Sequence, residues 1–328
     1  MTQPRFLLPL SKIPAGHTRV WRHEQSVARV GTRRIGSSTE QCGITFLHID
    51  RIIRMFNIKH TLASVTLGLL ALSPLAHAVQ NGPVPTLADL QKDGPYAVAS
   101  QTVTGSGFGG GTVYSPTTAG KYALVAVCPG FVSAQSSMTD MSKRLATHGF
   151  VVVAITTNTL LDFPSSRATQ LLAALKTVAA VTTGPAAGKI DTARQAVSGW
   201  SMGGGGTLEA ASATPGLVAA VAFAPWDTAI SKFKTNKVPT AIIGGTSDTI
   251  ASVSAHSQKF YDAIPSTTKK LLAVITGADH FFPTKASEPT SYTNISWMKR
   301  FADGDTRYSP FLKGQDAALS SFTSNGPF

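Results

Sequence analysis

The stretch Gly199-Trp200-Ser201-Met202-Gly203 decides how the rest of the chain is interpreted. It matches the pattern G-x-S-x-G, in which a serine lies on a sharp turn between a strand and a helix. The apolar residues 195–200 predict the strand, and residues 203–212 predict the helix in spite of four consecutive glycines. Such a turn strains the backbone of its serine and excludes bulky flanking side chains, which explains the two framing glycines. Ser201 is therefore the candidate nucleophile.

Strand-length apolar runs recur on both sides of this turn. Several of them, such as 150–156, are continuous rather than alternating, which is typical of parallel strands covered on both faces. The first runs are joined by short glycine-rich turns, and the later ones alternate with helix-like segments. The chain therefore predicts an α/β fold, with an antiparallel start and a mostly parallel central sheet flanked by helices. The runs are 97–103, 111–114, 122–127, 150–156, 195–200, 218–223, 240–243 and 270–275, and the helix-like segments are 137–148, 166–181 and 251–264.

A second glycine-rich motif matches a dinucleotide-binding pattern but lacks its structural context. Residues 105–110 fit G-x-G-x-x-G, the pattern of dinucleotide-binding turns, but residues 112–116 continue as a strand ending in proline. Because no helix N-terminus follows to bind a pyrophosphate, a glycine-rich hairpin is the better interpretation. Neither a metal nor an organic cofactor is expected.

A serine hydroxyl needs a base to take its proton as it attacks. Three histidines follow residue 78. His148 lies where a predicted helix ends, and His256 falls inside a predicted helix in an exposed position. His280 follows the run 270–275 in a loop at the carboxyl edge of the predicted sheet, and it is the candidate general base.

The acid that orients this histidine should lie between Ser201 and His280, where a strand ends. Asp248 follows the run 240–243 and is the preferred candidate. Asp227, after the preceding strand, is its competitor. Asp279 is disfavoured because a carboxylate rarely reaches the ring of its own neighbour.

A tetrahedral intermediate also needs two fixed donors for its oxyanion. One is expected to be the backbone N–H of Met202, the residue after the nucleophile. The other is expected from the loop after an earlier strand, where Phe131 follows the run 122–127. Hydrolases that cover such a site usually insert a cap domain after the sixth strand. Here only the fourteen residues 225–238 are available, so an open cleft is predicted.

The beginning of the chain has the pattern of a leader sequence. From Met55 it has a short n-region with Lys59, an uncharged run over 61–72 and the small-residue site Ala76-His77-Ala78, the pattern of a secretory signal peptide. The run is shorter than the roughly 20 residues that span a bilayer. We expect residues 1–54 to be an untranslated or disordered extension, 55–78 the signal peptide, and 79–328 a single catalytic domain.

The distribution of charge and the number of cysteines bear on possible partners and on disulfide bonds. Nine of the 29 Lys and Arg residues, against three acids, lie in residues 1–54, so the net charge of +12 describes mainly the leader. No basic stripe follows it, which argues against a nucleic-acid partner. Cys128 is the single cysteine after residue 78, so no intramolecular disulfide is expected there.

Short motifs in the predicted domain are similar to those of one known family. Together they resemble bacterial cutinases and poly(ethylene terephthalate) hydrolases, from about Gly94 to about Tyr308. The motifs are Gly94-Pro95-Tyr96, Gly111-Thr112-Val113-Tyr114, Pro129-Gly130-Phe131, Gln135-Ser136-Ser137, His148-Gly149-Phe150, Thr157 to Arg167, Gly199 to Gly206, Ala224-Pro225-Trp226-Asp227 and Trp297-Met298-Lys299-Arg300-Phe301.

The resemblance implies an α/β-hydrolase fold and a secreted serine ester hydrolase that cleaves polyesters and short to medium acyl esters. It gives Phe131 and Met202 the oxyanion-hole positions, Trp226 the position of a cleft tryptophan that contacts the acyl unit, and Ile250 that of an aliphatic side wall. The family usually carries a disulfide near its C-terminus, which this chain lacks.

Several alternatives remain open. A triacylglycerol lipase or a small-molecule carboxylesterase is the nearest, an acyltransferase of the same fold is third, and a non-catalytic binding protein belongs to a different class. The expected partner is an ester substrate, with no membrane span and a monomeric state.

Overall fold

The computed structural model describes residues 79–328. The predicted extension (1–54) and signal peptide (55–78) lie outside the described residues and stay predictions. Within residues 79–328, nine strands form one sheet in the order β1-β2-β4-β3-β5-β6-β7-β8-β9. The strands are β1 (Val98–Val103), β2 (Gly111–Pro116), β3 (Tyr122–Cys128), β4 (Val151–Ile155), β5 (Ile190–Trp200), β6 (Ala219–Phe223), β7 (Thr240–Gly245), β8 (Lys270–Ile275) and β9 (Leu319–Ser324).

The direction of the strands confirms the predicted fold class. Strands β3 to β8 are mutually parallel, while β1 and β2 form an antiparallel hairpin at one edge. Residues 105–110, which match G-x-G-x-x-G, lie in the connection of this hairpin. At the other edge β9 runs antiparallel to β8. The mostly parallel arrangement leaves all carboxyl ends of β3 to β8 at one edge of the sheet, which is where an α/β sheet places its site.

Helices cover both faces of the sheet. Helices α2 and α6 pack on one face, with Met141, Leu145 and Trp297 buried among them. Helices α3, α4 and α5 pack on the other, through side chains such as Leu171 and Phe260. The helices are α1 (Leu87–Leu90), α2 (Thr139–Thr147), α3 (Pro164–Ala179), α4 (Met202–Ala213), α5 (Ser257–Ala263) and α6 (Glu288–Ala302).

Some boundaries differ from the sequence-based prediction. The predicted helix over 251–264 begins only at Ser257, because residues 252–256 form turns beside the site. Strand β5 begins five residues before the predicted position. Strand β9 was not predicted at all: it is an edge strand of mostly polar residues, half-exposed and without a clear apolar alternation.

The connection between β6 and β7 is short. It spans residues 224–239 and contains one 3-10 helix, Ile230–Thr235, so it forms no cap over the carboxyl edge. In the part of the chain that the structure describes, we find no helix with the length and apolar character needed to cross a bilayer.

Candidate active site

Ser201 lies on the turn between β5 and α4, in a backbone conformation that side chains rarely adopt (φ 56°, ψ −122°). Its neighbours must be glycines for steric reasons. A Cβ on Gly199 would lie 2.4 Å from the carbonyl oxygen of Gly203, and one on Gly203 would lie 2.3 Å from that of Pro129. The N–H of Ser201 donates to the carbonyl of Phe223 at 3.0 Å, which ties the turn to the end of β6.

The structure brings Ser201, His280 and Asp248 into one hydrogen-bonded row. His280 Nε2 lies 2.9 Å from Ser201 Oγ, and His280 Nδ1 lies 2.8 Å from Asp248 Oδ2. All three side chains are buried. This is the geometry in which a carboxylate orients an imidazole toward a nucleophilic serine.

Asp248 is held in its ionised form. Its second oxygen, Oδ1, accepts the backbone N–H groups of Ile250 at 2.9 Å and Ala251 at 2.7 Å. Burial alone would raise the pKa of Asp248, but the hydrogen bonds from His280 and from these two N–H groups outweigh it and lower the pKa below its usual value. The carboxylate therefore stays charged at neutral pH.

The competing carboxylates have other partners. Asp227 Oδ1 accepts the N–H groups of Thr228 at 2.6 Å and Ala229 at 2.8 Å, so this side chain stabilises the turn after β6. Asp279 Oδ1 accepts the N–H of Phe281 at 2.8 Å. Neither carboxylate is hydrogen-bonded to His280.

The loop after β3 lies directly against the serine. A Cβ on Gly130 would lie 3.2 Å from the Cβ of Ser201. Within residues 79–328, the N–H of Phe131 donates to no backbone carbonyl. Met202 is the first residue of α4, so its N–H has no acceptor one turn earlier in the helix. Two backbone donors beside Ser201 are thus available for an oxyanion.

Trp226 lies half-buried at the edge of the site. Its backbone N–H donates to the carbonyl of Ser201 at 2.9 Å, and its ring centre lies 6.0 Å from that of His256. The predicted exposed, mid-helix position of His256 is wrong. The residue precedes α5 and is half-buried between the rings of Trp226 and Phe260, because the turns at 252–256 carry it toward the cleft.

Apolar side chains that are exposed on the loops at this edge of the sheet form a rim. The predicted Phe131 and Ile250 are 41% and 53% exposed. Phe281, beside the histidine, was not singled out in the sequence, although its place after His280 was a usable signal. The rim also includes Val132, Leu160, Leu161 and Phe163.

Trp200 is a further residue that sequence reasoning missed. Its indole Nε1 donates to the carbonyl of His280 at 2.7 Å, and the two ring centres lie 5.6 Å apart. The indole thus fixes the loop that carries the histidine. Its position inside the G-x-S-x-G motif identifies the residue but not this partner.

Comparisons with known proteins agree with the geometry. The family described as PET hydrolase-like matches residues 74–326. Cutinase est2 of Thermobifida alba is 44% identical over 241 residues, which cover 72% of this chain and 80% of the relative. The bis(hydroxyethyl) terephthalate hydrolase of Streptomyces coelicolor is 42% identical over 274 residues, covering 78% of this chain and 87% of the relative. Cutinase cut1 of Thermobifida fusca is 40% identical over 269 residues, which cover 80% of this chain and 84% of the relative.

The family match covers more than half of the chain, and the relatives are aligned over most of their own length. The sheet order, the strained serine turn and the hydrogen-bonded row belong to the same fold. This chain is therefore a member of the PET hydrolase-like family, a carboxylic ester hydrolase of the α/β-hydrolase fold.

Proposed function

We propose that the protein is an exported polyesterase that cleaves ester bonds through an acyl-enzyme formed on Ser201. The observation that carries this proposal is the continuous row of hydrogen bonds from Asp248 through His280 to Ser201, at an edge of the sheet with no cap. No cofactor enters the reaction as we formulate it.

In the first half of the reaction, Ser201 Oγ attacks the ester carbonyl while His280 Nε2 takes its proton. Asp248 holds the tautomer of His280 and stabilises the imidazolium that forms. The backbone N–H groups of Phe131 and Met202 stabilise the negative charge on the carbonyl oxygen. His280 then returns the proton to the leaving alkoxide, which departs as an alcohol.

In the second half, a water molecule replaces the alcohol. His280 takes a proton from this water as it attacks the acyl carbon, and the same two N–H groups stabilise the second oxyanion. Collapse returns the proton to Ser201 Oγ and releases the acid. The net reaction consumes one water for each ester bond.

A polymeric substrate is supported by the shape of the site and by the relatives' names. The short β6–β7 connection leaves the edge open, and the rim is apolar. Relatives named as cutinases and as a bis(hydroxyethyl) terephthalate hydrolase point to polyesters with aliphatic or aromatic acyl units. We assign Trp226 to the wall that contacts the acyl unit and Ile250 to an aliphatic side wall.

We further propose that residues 55–78 direct export, that the mature chain begins at Val79, and that it acts as a monomer. N-terminal sequencing of the exported protein tests the cleavage site, and residues before Met55 in that protein would contradict it. Light scattering of the purified protein checks the monomeric state.

Removal of the nucleophile tests the enzyme assignment. Ser201→Ala and His280→Ala should each lower kcat by about five to six orders of magnitude, and the double variant should lose little more, because the groups act as a unit. A fluorophosphonate probe should label the wild type and not Ser201→Ala. A wild type that the probe does not label would leave a non-catalytic binding protein as the better interpretation.

The substrate class is tested at Trp226. Trp226→Ala should reduce release of soluble products from an aromatic polyester film far more than hydrolysis of p-nitrophenyl acetate. The reason is that stacking on an aromatic acyl group contributes about 0.5–1.5 kcal/mol beyond area burial, whereas an acetyl group offers no ring to stack on. Equal losses on both substrates would favour a lipase or a small-molecule carboxylesterase.

A further inference from the structure

Arg167, on the first turn of α3, is a fully buried cation that the reaction described above does not use. It is 0% exposed and ranks among the largest fully buried side chains of residues 79–328. Burying an ion is costly unless its hydrogen-bonding groups are satisfied. The partners of this guanidinium should therefore explain why the protein keeps it there.

Three of these partners are backbone carbonyls in the loops that follow β3 and β4. The guanidinium donates from Nη1 to Pro129 at 3.1 Å, from Nη2 to Leu160 at 3.1 Å and from Nε to Asp162 at 2.7 Å. Within residues 79–328 no carboxylate forms an ion pair with it. The carboxylate of Asp162 instead accepts hydrogen bonds from Thr159 and from a second residue of α3, Gln170.

The other neighbour of Arg167 is a neutral thiol. Nη1 lies 4.0 Å from Cys128 Sγ, and burial raises the pKa of this thiol to about 11 even though the cation lies beside it. The guanidinium is thus satisfied by uncharged groups. Its geometry serves the backbone of the two loops rather than charge pairing.

These contacts bracket Phe131, the residue assigned to donate an N–H to the oxyanion. Before Phe131, Arg167 binds the carbonyl of Pro129 directly. After it, the N–H of Val132 donates at 2.9 Å to the carbonyl of Leu160, which also accepts from Arg167. Both ends of the short segment 129–132 are therefore tied to one planar, rigid group.

Helix α4, which follows the nucleophile, leaves space for this arrangement. A Cβ on Gly206 would lie 2.9 Å from the Cβ of Arg167, and a Cβ on Gly203 would lie 2.3 Å from the carbonyl oxygen of Pro129. These glycines are three residues apart and lie on one face of α4. The same face therefore accommodates both the arginine and the carbonyl that it binds.

We propose that Arg167 is a positioning residue for ester hydrolysis: its guanidinium holds segment 129–132 so that the N–H of Phe131 points at the oxyanion. The proposal rests on the oxyanion assignment made above. It predicts an effect on turnover rather than on substrate binding, because the oxyanion exists only in the transition state and the intermediates.

The test compares Arg167→Met, Arg167→Lys and a control, Arg144→Met. Arg144 also donates to a backbone carbonyl, that of Gln91, at 2.9 Å, and forms an ion pair with Asp93. None of its contacts involves segments 129–132 or 160–162. Hydrolysis of p-nitrophenyl butyrate, the inhibition constant of an alkylboronic acid and Tm are measured for each protein, at a temperature where it is folded.

For Arg167→Met we expect kcat to fall about 10- to 100-fold with little change in KM, because small displacements of a catalytic donor have effects of this size. The inhibition constant of the boronic acid should rise in parallel, since its adduct on Ser201 places an oxygen in the oxyanion site. Arg167→Lys should be intermediate, because a lysine keeps the charge but cannot bind three carbonyls in one plane. Arg144→Met should change Tm alone.

Three results would overturn the proposal. One is a folded Arg167→Met variant with kcat within threefold of the wild type. Another is a rise in KM at unchanged kcat, which would place the effect in substrate binding. The third is failure of Arg167→Met, Arg167→Lys and Arg167→Gln to fold, which would show that the guanidinium serves the fold itself. If Arg167→Met alone does not fold, the other two variants decide by the same kinetic criteria.

The outcome is distinguishable from failure of the proposed function. A wild type inactive on polyester films but active on p-nitrophenyl butyrate would remove the polymer assignment and leave the arginine test intact. Labelling of Ser201→Ala by a fluorophosphonate would instead remove the nucleophile on which the oxyanion assignment depends.

Discussion

Backbone strain is concentrated around the serine. Within residues 79–328 the non-glycine residues with positive φ are Val132 (53°), Ser201 (56°) and Ala224 (37°). They follow the ends of β3, β5 and β6, at the edge where the hydrogen-bonded row lies. Such conformations cost on the order of 1–3 kcal/mol each and persist only where the surroundings enforce them. The surrounding glycines and hydrogen bonds supply that enforcement here.

The identity of the acid can be tested at the same scale. Asp248→Asn should lower kcat by about 10⁴-fold, because an amide cannot stabilise the imidazolium and favours the wrong tautomer of His280. Asp227→Asn should leave most activity, because an amide oxygen can still accept from Thr228 and Ala229. Steady-state kinetics on p-nitrophenyl butyrate measure both variants. Reversed results would make Asp227 the acid.

At the scale of single elements, α4 is defined by how closely it approaches its neighbours. A Cβ on Gly205 would lie 2.2 Å from the carbonyl oxygen of Trp226, and one on Gly204 would lie 3.0 Å from that of Phe223. Four glycines in a helix carry a propensity cost of roughly 1 kcal/mol each. The tight packing of α4 against the strand ends requires them nevertheless, and it brings Ser201 and Trp226 to the same edge.

Gly205→Ala should therefore destabilise the protein. We expect a net loss of about 1–3 kcal/mol from overpacking against the backbone of Trp226, in spite of the better helix propensity of alanine. Gly216→Ala is the matched control, because a Cβ there meets nothing within 4 Å. Thermal unfolding followed by circular dichroism measures both. Equal Tm values for the two variants would show that α4 can move away without cost.

The end of α2 provides a pH-dependent contribution to stability. His148 follows this helix, and its Nε2 lies 3.0 Å from the carbonyl oxygen of Lys92. Burial lowers the pKa of His148 from 6.5 to about 4. Between these two values the unfolded chain binds a proton that the folded protein does not, so stability falls as the pH is lowered through this range.

For this histidine the predicted loss between pH 6.5 and pH 4 is about 3 kcal/mol. Urea unfolding of the wild type and of His148→Gln across this range isolates the contribution, because glutamine does not titrate. The difference in unfolding free energy between the two proteins should change in favour of His148→Gln as the pH falls. A constant difference would mean that His148 titrates normally.

At the scale of the whole molecule, the described domain is stabilised without a disulfide. Cys128, its single cysteine, is 0% exposed and is the last residue of β3. In protein that begins at Val79, dithiothreitol should leave Tm unchanged, because burial keeps this thiol protonated and away from a partner. Differential scanning calorimetry with and without reductant checks this. A decrease of several degrees in monomeric protein would contradict it.

The sequence alone was sufficient for the fold class and for the candidate nucleophile and base, Ser201 and His280. Continuous apolar runs are strong signals because parallel strands are buried on both faces, and the G-x-S-x-G turn restricts where a base and an acid can lie. The choice of His280 among three histidines followed from its place after a strand. The choice between Asp248 and Asp227 remained open, since both follow strands.

The tertiary structure decided what depends on contacts between distant segments. It brought Asp248 to the imidazole and turned Asp227 to its own backbone, placed His256 against Trp226, and added the polar edge strand β9. It also revealed that Arg167 binds the loops that follow β3 and β4. The local sequence contains the hydrophobic periodicity and the turn residues of each segment. The partner of a buried polar group, by contrast, is determined only when the helices and loops pack against the sheet.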